Sequence, residues 1–333
     1  SSTIRSSTEQ TDDHYGIESK VRLNGSDSER RATFDYVGVL NDSKAPVPLG
    51  VNVSYNVMAW NQEGSSDFYI IEYEIVNKSE SSISNLHLGL YADWDIGSSG
   101  SNSGGYDETR ELGYITTSSP SSFFAGMAVI SNDFGKYYNA IDNAGYSFSS
   151  ANKFLSISGG QSSSSVSNVD ASHFVGAGPI SLSPDQSQKV AFVVLAGSSL
   201  IGLQSTYDRA DYLYNTTLSL VRPVAMDIDV CFGEDYEVVI DGYPNLRWYD
   251  RFEGGTLLYE GTSLVLNDLE DDVTLFVATF NDSNDESVRS PINLKVLPKN
   301  DIVYQGDLVL CDGEVISLTA ADGDSFLWST GET

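Results

Sequence analysis

Between Val51 and Val57 apolar and polar residues alternate without a break. Val51, Val53, Tyr55 and Val57 fall on one side; Asn52, Ser54 and Asn56 fall on the other. A period of two is the mark of an extended strand with one face on a core and one in water. The pattern returns from Asp67 to Val76, with Tyr69, Ile71, Tyr73 and Ile75 on the buried face and Glu72 and Glu74 on the solvent face. Asn77 to Ser82 reads as a turn, and Ile83 to Ala92 as the next strand. Shorter strands are expected at Val21–Leu23, Thr33–Leu40, Leu112–Thr116, Phe123–Ile130, Tyr137–Ile141 and Phe154–Ile157, with Ser, Gly and Asn between them. Lys189 to Gly197 is apolar on both faces and reads as a central strand. A single helix is predicted, capped by Ser198 or Ser199, with Leu200, Leu203, Tyr207, Ala210 and Tyr214 on one stripe. Many short strands with one helix predict an all-β fold: a large antiparallel β-sandwich over residues 1–222, led by a polar N-terminal arm.

A repeat follows. Val230 to Glu234 (Val-Cys-Phe-Gly-Glu) is echoed by Leu310 to Glu314 (Leu-Cys-Asp-Gly-Glu), and Trp248 and Trp328 each stand 17 residues after the cysteine. Matches at one offset indicate tandem small β domains. An Ig-like sandwich is expected over 223–298, and the start of a second, truncated one over 299–333. Trp248 and Trp328 read as core residues of these domains. Cys231 and Cys311 occupy equivalent positions a domain length apart, too far to pair as a disulfide.

The 333 residues carry 18 Lys+Arg against 47 Asp+Glu, a net charge of −29. That argues against nucleic acid and anionic membrane as partners, since both select basic surfaces. It suits a secreted, calcium-rich or saline setting, and equally plain solubility. No apolar run approaches the ~18 residues of a membrane span. With neither an initiator Met nor a signal-peptide core at its start, the chain is expected to be a processed product or a piece of something longer.

Chemistry concentrates after Leu88. An apolar strand runs into Asp93-Trp94-Asp95, then through a Ser/Gly run to Asp107. Carboxylates two apart on a strand share a face. A loop folding back would add Asn102 and Asp107, giving an all-oxygen set of Asp93, Asp95, Asn102 and Asp107 suited to calcium. The spacing is not the EF-hand pattern, and an ordinary polar loop is the plainer alternative. His14, His87 and His173 are the only histidines. Asp170, Ser172 and His173 are hydrolase residue types, but they crowd into four positions, whereas triads are assembled from separate elements. No nucleophile elbow, zinc-protease helix or P-loop motif is present, so no catalytic residue is assigned. Trp60 and Trp94 are candidates for stacking on a glycan, or else cover the core edge.

With these residues laid out, a resemblance can be stated. Residues from about 47 to 215 resemble a β-rich region found downstream of subtilisin-like protease domains in secreted Bacteroidota proteins. The carrying segments include Pro48–Ser54, Met58–Asn61, Asp67–Asn77, Gly89–Gly97, Arg110–Tyr114, Asn139–Asp142 and Asp170–His173. Residues 224–333 are similar to the Ig-like and PKD-like repeats that follow in such proteins, Phe326–Thr333 above all. The resemblance implies secretion by the type IX route, a location outside the cell or on its surface, and an accessory rather than proteolytic role. The subtilisin Asp, His and Ser blocks are missing. It further implies work in adhesion or presentation, or as a stalk, beside neighbouring domains of a parent protein and a surface-protein or glycan ligand. The repeats often carry a second cysteine, which Asp282–Ser287 here lacks, so Cys231 is expected to be a free, buried thiol.

Overall fold

The computed structural model describes residues 16–23, 30–45, 47–117, 123–298, 302–305 and 317–320. The chain divides into two compact units, Ser1–Ser219 and Leu220–Thr333. The first contains strands β1 (Gly16–Leu23), β2 (Phe34–Asn41), β3 (Val51–Ala59), β4 (Phe68–Asn77), β5 (Ile83–Asp93), β6 (Asn102–Asp107), β7 (Leu112–Thr117), β8 (Phe124–Val129) and β9 (Gly135–Asp142). After helix α1 (Ser150–Ser158) come β10 (Val166–Val169), β11 (Ala171–Leu182), β12 (Ser187–Gly197) and helix α2 (Leu200–Asn215).

Nine strands form one sheet in the order β1-β2-β3-β4-β12-β8-β7-β6-β10, and β5-β11-β9 form a second. Every pairing in both is antiparallel. The all-β, sandwich-like architecture is as the alternation predicts. As expected, β12 is central, paired with β4 on one side and β8 on the other. Its Val190, Phe192 and Val194 join the core shared with the three-stranded sheet, including Val175 and Ile180. Its Ala191, Val193 and Leu195 join a second core beneath α2, with Leu203, Tyr207 and Ala210. Helix α2 starts where expected: the Ser199 hydroxyl accepts from the Gly202 amide at 3.0 Å.

Three expectations are corrected. The sheet face holding Glu72 is covered by α2, and Glu72 is buried with Phe68 and Ile70 rather than solvated. The apolar run at Phe154–Ile157 is helical, so the unit has two helices. Ser149 accepts from the Asn152 amide at its start and Gly159, at φ +80°, closes it. A four-residue apolar run cannot by itself separate strand from helix, and the caps decide it. The Ser/Gly run after Ser101 is not a loop but strand β6, paired with β7 and β10.

In the second unit, β13 (Met226–Cys231), β19 (Ser290–Leu297), β18 (Val273–Thr279), β15 (Leu246–Tyr249) and β16 (Leu257–Glu260) make one sheet in that order. Strands β14 (Glu234–Val239) and β17 (Ser263–Leu269) make another. The β13–β19 pair is parallel. Trp248 is fully buried and donates through Nε1 to the Gly261 carbonyl at 2.8 Å, a core residue as read from the sequence. Cys231 is free but exposed, not buried: it ends an edge strand. Strands β20 (Ile302–Gln305) and β21 (Ser317–Ala320) pair with each other. Cys311 and Trp328 lie outside the described residues.

Candidate metal centre

Two segments cross between the sheets of the first unit at one place. Strand β5 ends at Asp93 in the small sheet, and β6 begins at Asn102 in the large one. Strand β10 ends at Val169 in the large sheet and β11 begins at Ala171 in the small one, leaving Asp170 alone at the crossing. The ladders fix the geometry on both sides: Asp93 pairs with Ser172, and Asn102 with Val169. Running the β5–β11 register two residues on sets Asp95 opposite Asp170. The alternation then turns Asp93, Asp95, Asp170 and Ser172 to one face. One carboxylate oxygen from each of Asp93, Asp95 and Asp170 lies within 4.8 Å of the others.

The trio is braced by neutral groups. Ser172 Oγ and Asn143 Nδ2 each donate to Asp93 Oδ1 at 2.9 Å. The single Tyr91 hydroxyl proton is shared between Ser172 Oγ at 3.2 Å and Asn143 Oδ1 at 3.1 Å. Among the described residues no ion pair reaches the three aspartates. Partial burial, then the charges of Asp93, Asp95 and Asp142, push the Asp170 carboxyl above its ordinary value, against a lowering hydrogen bond from Asn143. Three hard oxygen donors under mutual repulsion match the chemistry of a Ca2+ site.

Asp93 and Asp95 thus come together as expected, but with Asp170 as the third carboxylate. Asp107 is elsewhere. As β6 is a strand, Asn102 and Asp107 stand about 17 Å apart along it and on opposite faces. Asp107 takes hydrogen bonds from Gln204 Nε2 at 2.8 Å and Arg110 Nη1 at 3.2 Å, and Arg110 also grips Asp208 on α2. Burial pushes the Asp107 carboxyl up, but these donors hold it below its usual range. Asn102 is at the crossing but fully buried, its Nδ2 donating to the Ile96 carbonyl at 2.8 Å. It braces the segment after Asp95. Asp170 was legible only as part of an apparent triad; nothing local pairs it with Asp95 and Asp93, 75 and 77 positions earlier.

The same alternation separates the hydrolase types. Ser172 faces the aspartates, whereas His173 points into the core, fully buried, where burial lowers its pKa to about 3. Trp60 is 8% exposed beneath α2 and offers no stacking face, while Trp94 is half-buried and packs toward His173. The exposed ring beside the carboxylates is Tyr91.

No family model and no curated protein matches the chain. Among solved structures it is similar to heparan sulfate lyase HepC from Pedobacter heparinus, at 13% identity and a TM-score of 0.29, over 56% of this chain and 24% of that one. A mutant of that lyase matches at 9% and 0.29, over 82% and 27%, and a polysaccharide lyase at 11% and 0.27, over 80% and 39%. The chain therefore spans well under half the length of each, and so slight a likeness carries no argument about activity. No described helix is long and apolar enough to cross a membrane.

Proposed function

We propose that this chain is a non-catalytic segment of a larger secreted or cell-surface bacterial protein, serving adhesion, presentation or the support of a neighbouring domain. Its first unit is a sandwich locked by calcium, and the second belongs to a run of Ig-like spacers. The observation that carries this reading is the convergence of Asp93, Asp95 and Asp170 where two segments cross between the sheets. A cation there ties both crossings and both sheets at one point, which is structural work. The opposed faces of Ser172 and His173 support a non-catalytic role. The charge of −29 fits a calcium-rich exterior.

If the parent is a subtilisin-like protease, its catalytic domain lies outside these residues. The sequence of the parent polypeptide decides this: an Asp/His/Ser catalytic domain beside this segment makes it the accessory part of a protease. Calcium titration followed by calorimetry tests the lock. A melt of the first unit that neither calcium raises nor chelation lowers would refute it.

A glycan-binding reading moves from Trp60 and Trp94 to Tyr91, which is 38% exposed on the face of the carboxylates. A glycan array comparing the chain with Tyr91→Ala tests it, and absence of binding by the unaltered chain removes it.

A further inference from the structure

Behind the carboxylates, on the inner face of the same crossing, lies a second group of polar side chains. Trp94 sits between Asp93 and Asp95 but turns inward, its indole 6.1 Å from the His173 ring between centroids. The Tyr138 ring flanks His173 from β9 at 5.5 Å. Asn102 enters from β6, tied to Ile96 two residues beyond Trp94. All four are buried or half-buried, His173 and Asn102 completely.

Their polar atoms have no protein partner within hydrogen-bonding reach among the described residues: both His173 nitrogens, Trp94 Nε1, Asn102 Oδ1 and the Tyr138 hydroxyl. Buried polar groups are paired in native proteins with protein or with ordered water, so orphans on three rings that pack together, with Asn102 tied in through Ile96, point to a common explanation. The donor–acceptor inventory narrows it. The Trp94 N–H only donates, and Asn102 Oδ1 only accepts. A neutral imidazole does one of each, and the tyrosine hydroxyl does both. An anion would need donors alone and a cation acceptors alone. The mixture suits a small neutral dipole that both gives and takes hydrogen bonds.

We infer that His173, Trp94 and Asn102, with Tyr138 beside them, form an internal hydration site between the two sheets, holding ordered water that accepts from Trp94 Nε1 and donates to Asn102 Oδ1 or His173. The site braces the crossing from within and does not depend on a cation outside it.

The test is a water-selective NOE experiment on the 15N-labelled chain. The indole N–H that vanishes in Trp94→Phe should show a cross-peak at the water frequency while resisting exchange into D2O for hours. An exchange-protected indole proton with no water cross-peak, or one exchanging within minutes, overturns the site. Should Trp94→Phe not fold, a crystal structure of the unaltered chain decides. Water within about 3.2 Å of Trp94 Nε1 and of either Asn102 Oδ1 or His173 supports the site. Direct bonds among these side chains, or density for an ion, refute it.

Discussion

The Tyr214 hydroxyl, in the last turn of α2, donates to Glu72 Oε2 at 3.0 Å across the covered face of the nine-stranded sheet. Arg31 reaches the same carboxylate at 2.6 Å and Lys189 at 3.2 Å. Burial pushes Glu72 up, but these partners hold it charged below its ordinary range. Tyr214→Phe should cost about 2 kcal/mol, the worth of a hydrogen bond to a charged group. Glu72→Ala should cost about 3–5 kcal/mol, because Arg31 is left half-buried without its partner. Urea unfolding of the first unit measures both.

The Asp170 carboxyl is raised, so its charge is disfavoured in the folded chain at neutral pH when no cation is bound. Asp170→Asn should therefore raise the melting temperature in chelator and lower it in calcium. For the unaltered chain, free calcium at a hundred times Kd should add about 2.7 kcal/mol, or about 5–10 °C for a unit of this size. Calorimetry with and without EDTA reads the inversion.

His173 has its pKa lowered to about 3 by burial, against 6.5 in an unfolded chain. Above pH 6.5 both states are neutral there, and the contribution to stability is complete. As pH falls from 6.5 toward 3, only the unfolded state takes up the proton, and stability drops by up to about 1.4 kcal/mol per pH unit. Glu72, lowered from 4.5, adds its own loss only as pH falls below that value. Unfolding free energies across this range should show the upper limb flattened in His173→Leu, with the lower one kept.

Gly89 and Gly176 face each other across β5 and β11, and α1 sits on them. A methyl group at Gly176 would lie 2.7 Å from Ile157 Cα and closer still to its carbonyl oxygen. Backbone cannot yield as a flexible side chain does. Gly176→Ala should lift α1 from the sheet and cost about 1–3 kcal/mol. Faster amide exchange in Ser150–Ser158 than elsewhere in the unit would show it.

The alternation in β3, the doubly apolar β12 and the capped α2 were legible because each is local: period and cap lie within a few residues. Glu72 misled because a covered face and a wet face give the same pattern when a buried carboxylate brings its own cations. Gly104 and Gly105 hide strand β6 because they read as loop, yet Gly104 is buried, and a methyl group there would stand 3.0–3.4 Å from Ile115, Val166 and Ala140. At the metal centre Asp93 and Asp95 were legible from their spacing of two. Asp170 was not, because only the β5–β11 register places it beside them. The burial of Cys231 is expected only from the resemblance to Ig-like repeats, and its exposure follows from its place at the end of an edge strand.

The pairing of Asp93 with Ser172 joins strands 79 residues apart. A loop of that length must close before the carboxylates meet, so the trio is absent from a half-folded chain. A cation held there has no foothold early in folding and cannot hasten collapse. Its effect falls on escape from the native state: calcium would lengthen the lifetime of the folded unit and leave the refolding rate nearly unchanged.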